Sequence, residues 1–304
     1  MSNFILLVSC LLAGLLLRRF GRMPEGAHAT LNTVIIYLAL PAVTLHTLHS
    51  FQFDSSQLWP VLMPWLLFGI GAMIFWLLGR WLGLGRASIG ALTLVGGLGN
   101  TSFVGLPMIE SLQGGDGLGL GLLIDQLGSY LVLSTVGVFV AALYAADKPR
   151  GLGAMATKIA SFPPFIALVV ALLSRSVPLP ADVDRVLTRL GDTMAPLALL
   201  SVGLQLRFDA IRQKAALLSL GLGYKLVICP AFVVAVLWVF KADVDMTTHV
   251  SVIEAAMPPM IGAGIVAAQA NLDTPLVSTM IGIGIPLGLS TAVCWHWLFV
   301  GLAA

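Results

Sequence analysis

Residues 274–304 contain no Asp, Glu, Lys or Arg, and the same is true of 55–79 and 87–109. An apolar helix of about 20 residues is long enough to cross a bilayer. Uncharged runs of that length, repeated along one chain, leave few folds open. Composition agrees: of 304 residues, 58% are hydrophobic and 10% are charged, against about 25% charged in an average soluble domain. Thirty charged side chains cannot solvate the outside of a globule of this size. A water-soluble enzyme, a disordered chain and a nucleic-acid binder are excluded on that ground. The mean hydropathy of +0.98 points the same way.

Ten candidate spans follow, at about 3–20, 29–50, 58–79, 87–110, 117–145, 154–174, 183–206, 214–240, 247–270 and 274–301. The connections are too short for an inserted soluble domain. The first run reads as a retained helix rather than a signal peptide, because no charged stretch precedes it and no small-residue cleavage site follows. Cys10, Cys229 and Cys294 lie inside apolar runs with no CxxC pair. They read as small buried hydrophobes, not as a disulfide or zinc set.

Basic residues give an orientation. The first, third, fifth and seventh connections hold Arg18, Arg19, Arg22, Arg80, Arg86, Lys148, Arg150, Arg207, Arg212 and Lys214. The second and fourth hold none, and the sixth and eighth little beyond Arg175 and Lys241. Cytoplasmic connections carry the excess of Lys and Arg, so the odd connections are expected inside the cell. Both termini are then outside, periplasmic for a multi-pass protein of a bacterial inner (plasma) membrane.

The two halves of the chain echo each other. LNTVIIYLALPAVTLHTL in the second candidate span and LTRLGDTMAPLALLSVGL in the seventh carry Pro41 and Pro196, 155 residues apart. The fourth, LTLVGGLGNTSFVGLPMIE, and the ninth, VIEAAMPPMIGAGIVAAQ, are both interrupted by Gly and Pro. Five spans per half is an odd number, so the second copy enters the membrane from the opposite side. The expected architecture is an all-α membrane protein with a 5+5 inverted repeat, the first half at 1–147 and the second at 153–304.

Gly and Pro inside a span free backbone groups, and each unpaired group costs several kcal/mol in lipid. Such breaks persist where protein or a water-filled cavity surrounds them. Paired breaks at matching points of two repeats mark a substrate site near the midplane of transporters, and half-helix N-termini there suit an anion. The bland alternative is a kink that lets helices pack closely. The breaks are Gly99-Asn100-Thr101-Ser102 through Pro107, and Pro258-Pro259 through Gly264.

Intramembrane charges are the second signal. Asp125 lies within the fifth span and Lys225 within the eighth. They read either as a substrate or ion contact and a counter-charge, or as a structural ion pair with each other. Glu110, Asp192 and Glu254 fall near helix ends and read as interfacial. The candidate binding set is Asn100, Thr101, Ser102, Pro107, Asp125, Tyr130, Lys225, Pro258, Pro259 and Gly262.

Other patterns carry less. His46 and His49 share a helix face, but no partner cluster supports a metal. The GLGLG run at 117–121 follows no strand and is no dinucleotide fingerprint. Gly128-Ser129 has no surrounding hydrolase motif, and HExxH and GxxxxGK[ST] are missing. No enzymatic activity, cofactor or direct nucleotide drive is expected.

NTSFVGLPMI at 100–109 resembles the asparagine-to-proline crossover motif of the auxin efflux carrier family, which includes plant PIN-type auxin carriers and bacterial malonate and malate permeases. LNTVIIYLALPAVTLHTL is similar to that family's second helix, YKLVICP at 224–230 to its eighth, and AAMPPMIGAGIVAAQANLDTPLVSTM to its ninth and tenth. The likeness covers almost the whole chain. The long central loop of the plant carriers is missing, since 146–153 is the entire linker, and the ninth-helix motif continues differently after its first proline. Auxin itself is therefore not implied. The resemblance implies helices 1, 2, 6 and 7 as a scaffold, helices 3–5 and 8–10 as a transport domain with helices 4 and 9 crossing at their breaks, an elevator-like movement, and a homodimer.

The function expected is secondary transport of a small organic anion, a mono- or dicarboxylate, with H+ or Na+ as a coupling ion. Two alternatives stand beside it. One is a sodium-coupled symporter of bile-acid-symporter type, in which Asn100, Thr101, Ser102, Glu254 and Gln269 supply oxygens. The other is a membrane sensor that binds a ligand without moving it.

Overall fold

The computed structural model describes residues 2–24, 26–52, 54–145, 161–175, 177–206 and 211–303. The expected linker at 146–153 and the first turns of the sixth span lie outside the described residues, as does Arg207. The secondary-structure elements of the described residues are all helices, with no strand among them. In chain order the helices are α1 Ser2–Arg19, α2 Ala27–His49, α3 Ser55–Trp81, α4 over 86–96, α5 over 101–113 and α6 Gly115–Tyr144. There follow α7 Pro163–Leu173, α8 Ala181–Gly191, α9 Met194–Gln205, α10 Ala215–Val239, α11 Met246–Ala255, α12 Ile261–Gln269 and α13 Thr274–Ala303.

Five of these, α2, α3, α6, α10 and α13, are long and apolar enough to cross a membrane. Their polarity is inverted relative to a soluble protein. Large apolar side chains such as Trp81 and Trp238 are 81% and 77% exposed, while Asn100, Thr101, Asp125, Lys225 and Glu254 are 2% exposed or less. Lipid can solvate the first group, and only protein can satisfy the second. Cys229 is buried as expected, but Cys294 is exposed on α13. The outward face of a membrane helix is apolar too, so an apolar run does not tell core from lipid.

Two of the expected spans are broken where Gly and Pro interrupt them, and a third departs from expectation. The fourth and ninth spans are each two helices, α4/α5 and α11/α12, separated by extended backbone. The seventh is also two, because Asp192 and Thr193 form a turn between α8 and α9. α8 carries Asp182, Asp184, Arg185 and Arg189 and has one buried residue, Gly191. It is a polar surface helix leading into the 12-residue α9. Pro196 thus lies in the first turn of α9, where a missing N–H costs nothing, whereas Pro41 lies inside continuous α2. The matching of these two prolines in sequence is not a matching of local structure.

Pro41, Pro107 and Pro230 share a different device. Each closely follows a π-type turn, at Ile35–Ala39, Thr101–Gly105 and Tyr224–Ile228 respectively. Proline removes one helical donor and crowds the preceding turn. Widening that turn accommodates the ring without ending the helix.

The helices pack in two groups. In one, α1 lies along α9, and α2 contacts α7, α8 and α9. His46 Nδ1 lies 2.7 Å from Asp184 Oδ1, and His49 Nδ1 lies 3.3 Å from the Ser174 hydroxyl. The two histidines therefore tie helices together. In the other group α3 packs on α6, α4 on α12, and α11 on α10 and α13. The Trp65 indole N–H donates to the Leu127 carbonyl at 3.1 Å, and the Tyr224 hydroxyl donates to the Leu67 carbonyl.

Candidate functional site at the crossing of the two breaks

The two interruptions meet. Gly99 and Pro259 pair as a single antiparallel bridge. The Asn100 N–H donates to the Pro258 carbonyl at 2.7 Å, and the Met260 N–H to the Leu98 carbonyl at 3.0 Å. Each break supplies the partner that the other lost, which removes much of the penalty for buried non-helical backbone. The breaks stop helices for different reasons. At 97–99 Gly-Leu-Gly gives the chain freedom, and Asn100 then begins the next helix. At 258–259 two prolines lack donors and push their predecessors out of helical geometry.

Asn100 caps α5: its Oδ1 accepts the Phe103 N–H at 3.2 Å. Its Nδ2 is buried and has no hydrogen-bond partner. The Thr101 hydroxyl donates to Asp125 Oδ1 at 2.6 Å, with Ser102 beside the same carboxylate. Lys225 reaches the crossing from α10 and donates to the Ala255 carbonyl at 2.9 Å. A cation there meets the negative end of the α11 dipole. Gly99 leaves it room: a Cβ at that position would sit 3.2 Å from Nζ.

Lys225 and Asp125 do not pair with each other; the ion pairs among the described residues are His46–Asp184, Arg185–Asp182 and Lys214–Asp273. The reading of a structural Lys225–Asp125 pair is thereby corrected. Each has found a nearer polar group of the broken helices instead. Glu254 is a second correction. Its place near a helix end reads as interfacial, yet that end is the break itself, and the side chain is 2% exposed. Asp192, by contrast, is exposed in the α8–α9 turn, and Glu110 is half-buried.

The remaining expected residues are positioned as follows. Pro258 and Pro259 seat on α13: a Cβ at Gly288 would come within 2.6 Å of the Pro258 ring, and one at Gly284 within 2.6 Å of the Pro259 ring. Gly262 lies against Leu133 of α6, and Pro107 is buried in α5. The Tyr130 ring stacks on Phe162 at 3.9 Å, just before α7, and Ser134 hydrogen-bonds its hydroxyl. Tyr130 thus links the two helix groups. The sequence reading missed Gly284 and Gly288. Two glycines four residues apart on one helix are the signal, but only the fold assigns the prolines to them.

A cleft of about 790 Å³ lies between the helix groups. Arg18, His28 and Gln205 line one wall, and Ile261, Gly264 and Ser278 the other. The Arg18 guanidinium donates to the Leu206 carbonyl. The cleft is bounded by residues of the first connection and by the start of α13, and reaches Ile261, the residue after the second break. Asn100 and Glu254 do not line it.

A family model described as "Membrane transport protein" matches residues 1–150 and 151–296. An uncharacterized transporter of Methanothermobacter thermautotrophicus is 27% identical over 289 residues, covering 93% of both chains. An uncharacterized transporter of Methanocaldococcus jannaschii is 24% identical over 313 residues, covering 99% of both.

Proposed function

Because the chain belongs to the membrane transport protein family, also called the auxin efflux carrier family, we propose that it is a secondary carrier of a small organic anion, a mono- or dicarboxylate. One observation carries the choice of an anion: the buried, unpaired Nδ2 donor of Asn100 at the point where both broken helices meet. A buried amide donor without a partner costs about 1–3 kcal/mol, and a carboxylate oxygen is an acceptor that satisfies it with a charge-assisted bond. The N-termini of α5 and α12 flank the same point and add their free N–H groups. Lys225 adds positive charge. Thr101, Ser102 and Asp125 position the α5 N-terminus against α6, and Pro107, Pro258, Pro259 and Gly262 shape the backbone around it.

Ten spans in two inverted halves, 1–147 and 153–304, are the architecture that fits this reading. The packing of α1, α2, α7, α8 and α9 as one group supports a scaffold made from helices 1, 2, 6 and 7 of that count. The group holding both breaks is then the moving domain, made from helices 3–5 and 8–10. Elevator-like travel of that group past the scaffold exposes the crossing to each side in turn. The cleft between the groups is the approach from the side of the basic connections, the cytoplasm. Both termini are then outside the plasma membrane, and a homodimer joined through the scaffold holds it still while the other group moves.

Counterflow in proteoliposomes tests the function. Vesicles loaded with unlabelled pyruvate, malonate or malate and supplied with the labelled compound outside accumulate label transiently if the protein exchanges that anion. Binding of a carboxylate without any counterflow would make the protein a sensor and overturn the carrier reading.

A further inference from the structure

We propose that Glu254 is the proton-binding residue of the carrier, so that each anion crosses with a proton and not with sodium. The proposal deepens the carrier reading and rests on it for the word "carrier"; the proton site itself rests on the packing around Glu254.

Glu254 is the last residue but one of α11, directly before the second break. Both of its carboxyl oxygens are buried and neither has a hydrogen-bond partner. The other buried acid, Asp125, has the Thr101 hydroxyl at 2.6 Å. The difference lies in what faces each group. Glu254 lies against bare backbone: a Cβ at Gly105 would fall 2.6 Å from Oε2 and 2.8 Å from Oε1, and one at Gly121 would fall 3.6 Å from Oε1. Gly105 belongs to α5 and Gly121 to α6, and the Gly105 N–H is already bonded to the Asn100 carbonyl at 2.9 Å. These two glycines make the space for the carboxyl and offer it no donor. An ionised carboxylate enclosed in this way is far more costly than a neutral one. Something bound must cancel the charge.

The charged groups that act on Glu254 are Asp125 of α6 and Lys225 of α10. From α5 it meets Gly105, and the two histidines of this region, His249 of α11 and His296 of α13, pack on each other with ring centroids 5.4 Å apart. A metal cation at Glu254 would need several further oxygens. Of the side-chain oxygens nearby, Asn100 Oδ1 already accepts from the Phe103 N–H, and Asp125 Oδ1 from the Thr101 hydroxyl. Lys225 already brings a positive charge to the crossing, which repels a metal ion. No group of three His, Cys, Asp or Glu side chains suited to a metal occurs among the described residues. A proton needs none of that coordination. It also links the ion to the substrate. With Asp125 and Glu254 both ionised against Lys225 the site is net negative and opposes an anion. One proton on Glu254 brings it to neutrality, so proton and anion load together.

Infrared difference spectroscopy of the protein in lipid, between about pH 5 and about pH 9, tests the proton site. The expected result is a protonated-acid C=O band in wild type that is lost in Glu254→Gln, kept in Asp125→Asn, and unmoved when choline is replaced by sodium at fixed pH. If Glu254→Gln does not fold, Glu254→Asp serves, and the band shifts in frequency. The same band in wild type and Glu254→Gln (or an unshifted band in Glu254→Asp) overturns the proposal, as does its disappearance on adding sodium. A trapped pH dye completes the test with whichever of pyruvate, malonate or malate exchanges in counterflow. Inward transport acidifies the lumen in wild type, and the proton accompanying each anion is absent in Glu254→Gln. Acidification per anion unchanged by that substitution also overturns the proposal. Failure of all three anions to exchange strikes the carrier reading and leaves the infrared result to decide the proton site.

Discussion

The two breaks solve the same problem with different chemistry. The first, 97–100, is made of two glycines around Leu98 and one amide, and it caps itself through Asn100. The second, 256–260, is made by two prolines held from outside by the glycines of α13. The first break keeps a side-chain donor unspent, Asn100 Nδ2, whereas the second offers only backbone carbonyls and apolar rings. A crossing needs both. Prolines fix the second strand of the bridge as a template, and in the proposed carrier the adaptable amide on the first meets the ligand. Substitutions at the second break are thus expected to act on stability, and those at the first on binding.

The largest expected effect is on the proline seats. Gly284→Val and Gly288→Val push side chains into the rings of Pro259 and Pro258, and overpacking of this kind costs about 1–3 kcal/mol each. The double variant should show the deepest fall in Tm, measured in detergent or lipid. A double variant that melts with wild type would remove the idea of a rigid second break.

Thr101→Val comes next. It removes the donor to Asp125 while keeping shape, and the expected loss is about 1–2 kcal/mol of stability. Because Thr101 and Asp125 join α5 to α6 beside the first break, carboxylate affinity should fall together with Tm. An unchanged affinity would place that hydrogen bond outside the site.

The smallest effect lies away from both breaks. Asp273, in the connection between α12 and α13, accepts from Lys214 at 2.7 Å and from the Ser88 hydroxyl at 2.7 Å. Burial alone would push its carboxyl up, but these partners outweigh it and hold it below the usual value of 3.8. Its contribution is therefore complete above about pH 4 and is lost as pH falls through the lower folded value. Asp273→Asn should abolish that acid-dependent part of Tm, a change of about 1 kcal/mol or less, with binding unaltered. Equal acid sensitivity in Asp273→Asn would show that the tie is idle.

Much of this was legible in the sequence. Uncharged runs such as 55–79 identified the solvent, and Gly and Pro placement located both breaks, because donors and backbone freedom are local properties. What a residue faces was not legible. Glu254 reads as interfacial because a helix end near a membrane surface and a helix end at a break inside a span look alike along the chain. The partners of Lys225 and Asp125 depend on which carbonyls and hydroxyls the breaks release. Pro41, Pro107 and Pro230 mark a disturbance in their helices, but not that a π-type turn absorbs it. The turn at Asp192–Thr193 is hidden although Gly191 precedes it and Pro196 follows, because the apolar run reads on through it toward Gln205.

The division of labour between the breaks meets its most direct test in the carboxylate affinity of Asn100→Ala. The substitution removes the α5 cap and the unpaired donor together. Loss of the cap costs about 0.5–2 kcal/mol of stability, which a thermal melt reads separately. Titration of the folded variant in nanodiscs, with a carboxylate that wild type exchanges, should give a Kd at least tenfold weaker, about 1.4 kcal/mol. A folded Asn100→Ala protein that binds the same carboxylate as tightly as wild type would contradict the assignment of the crossing as the anion site.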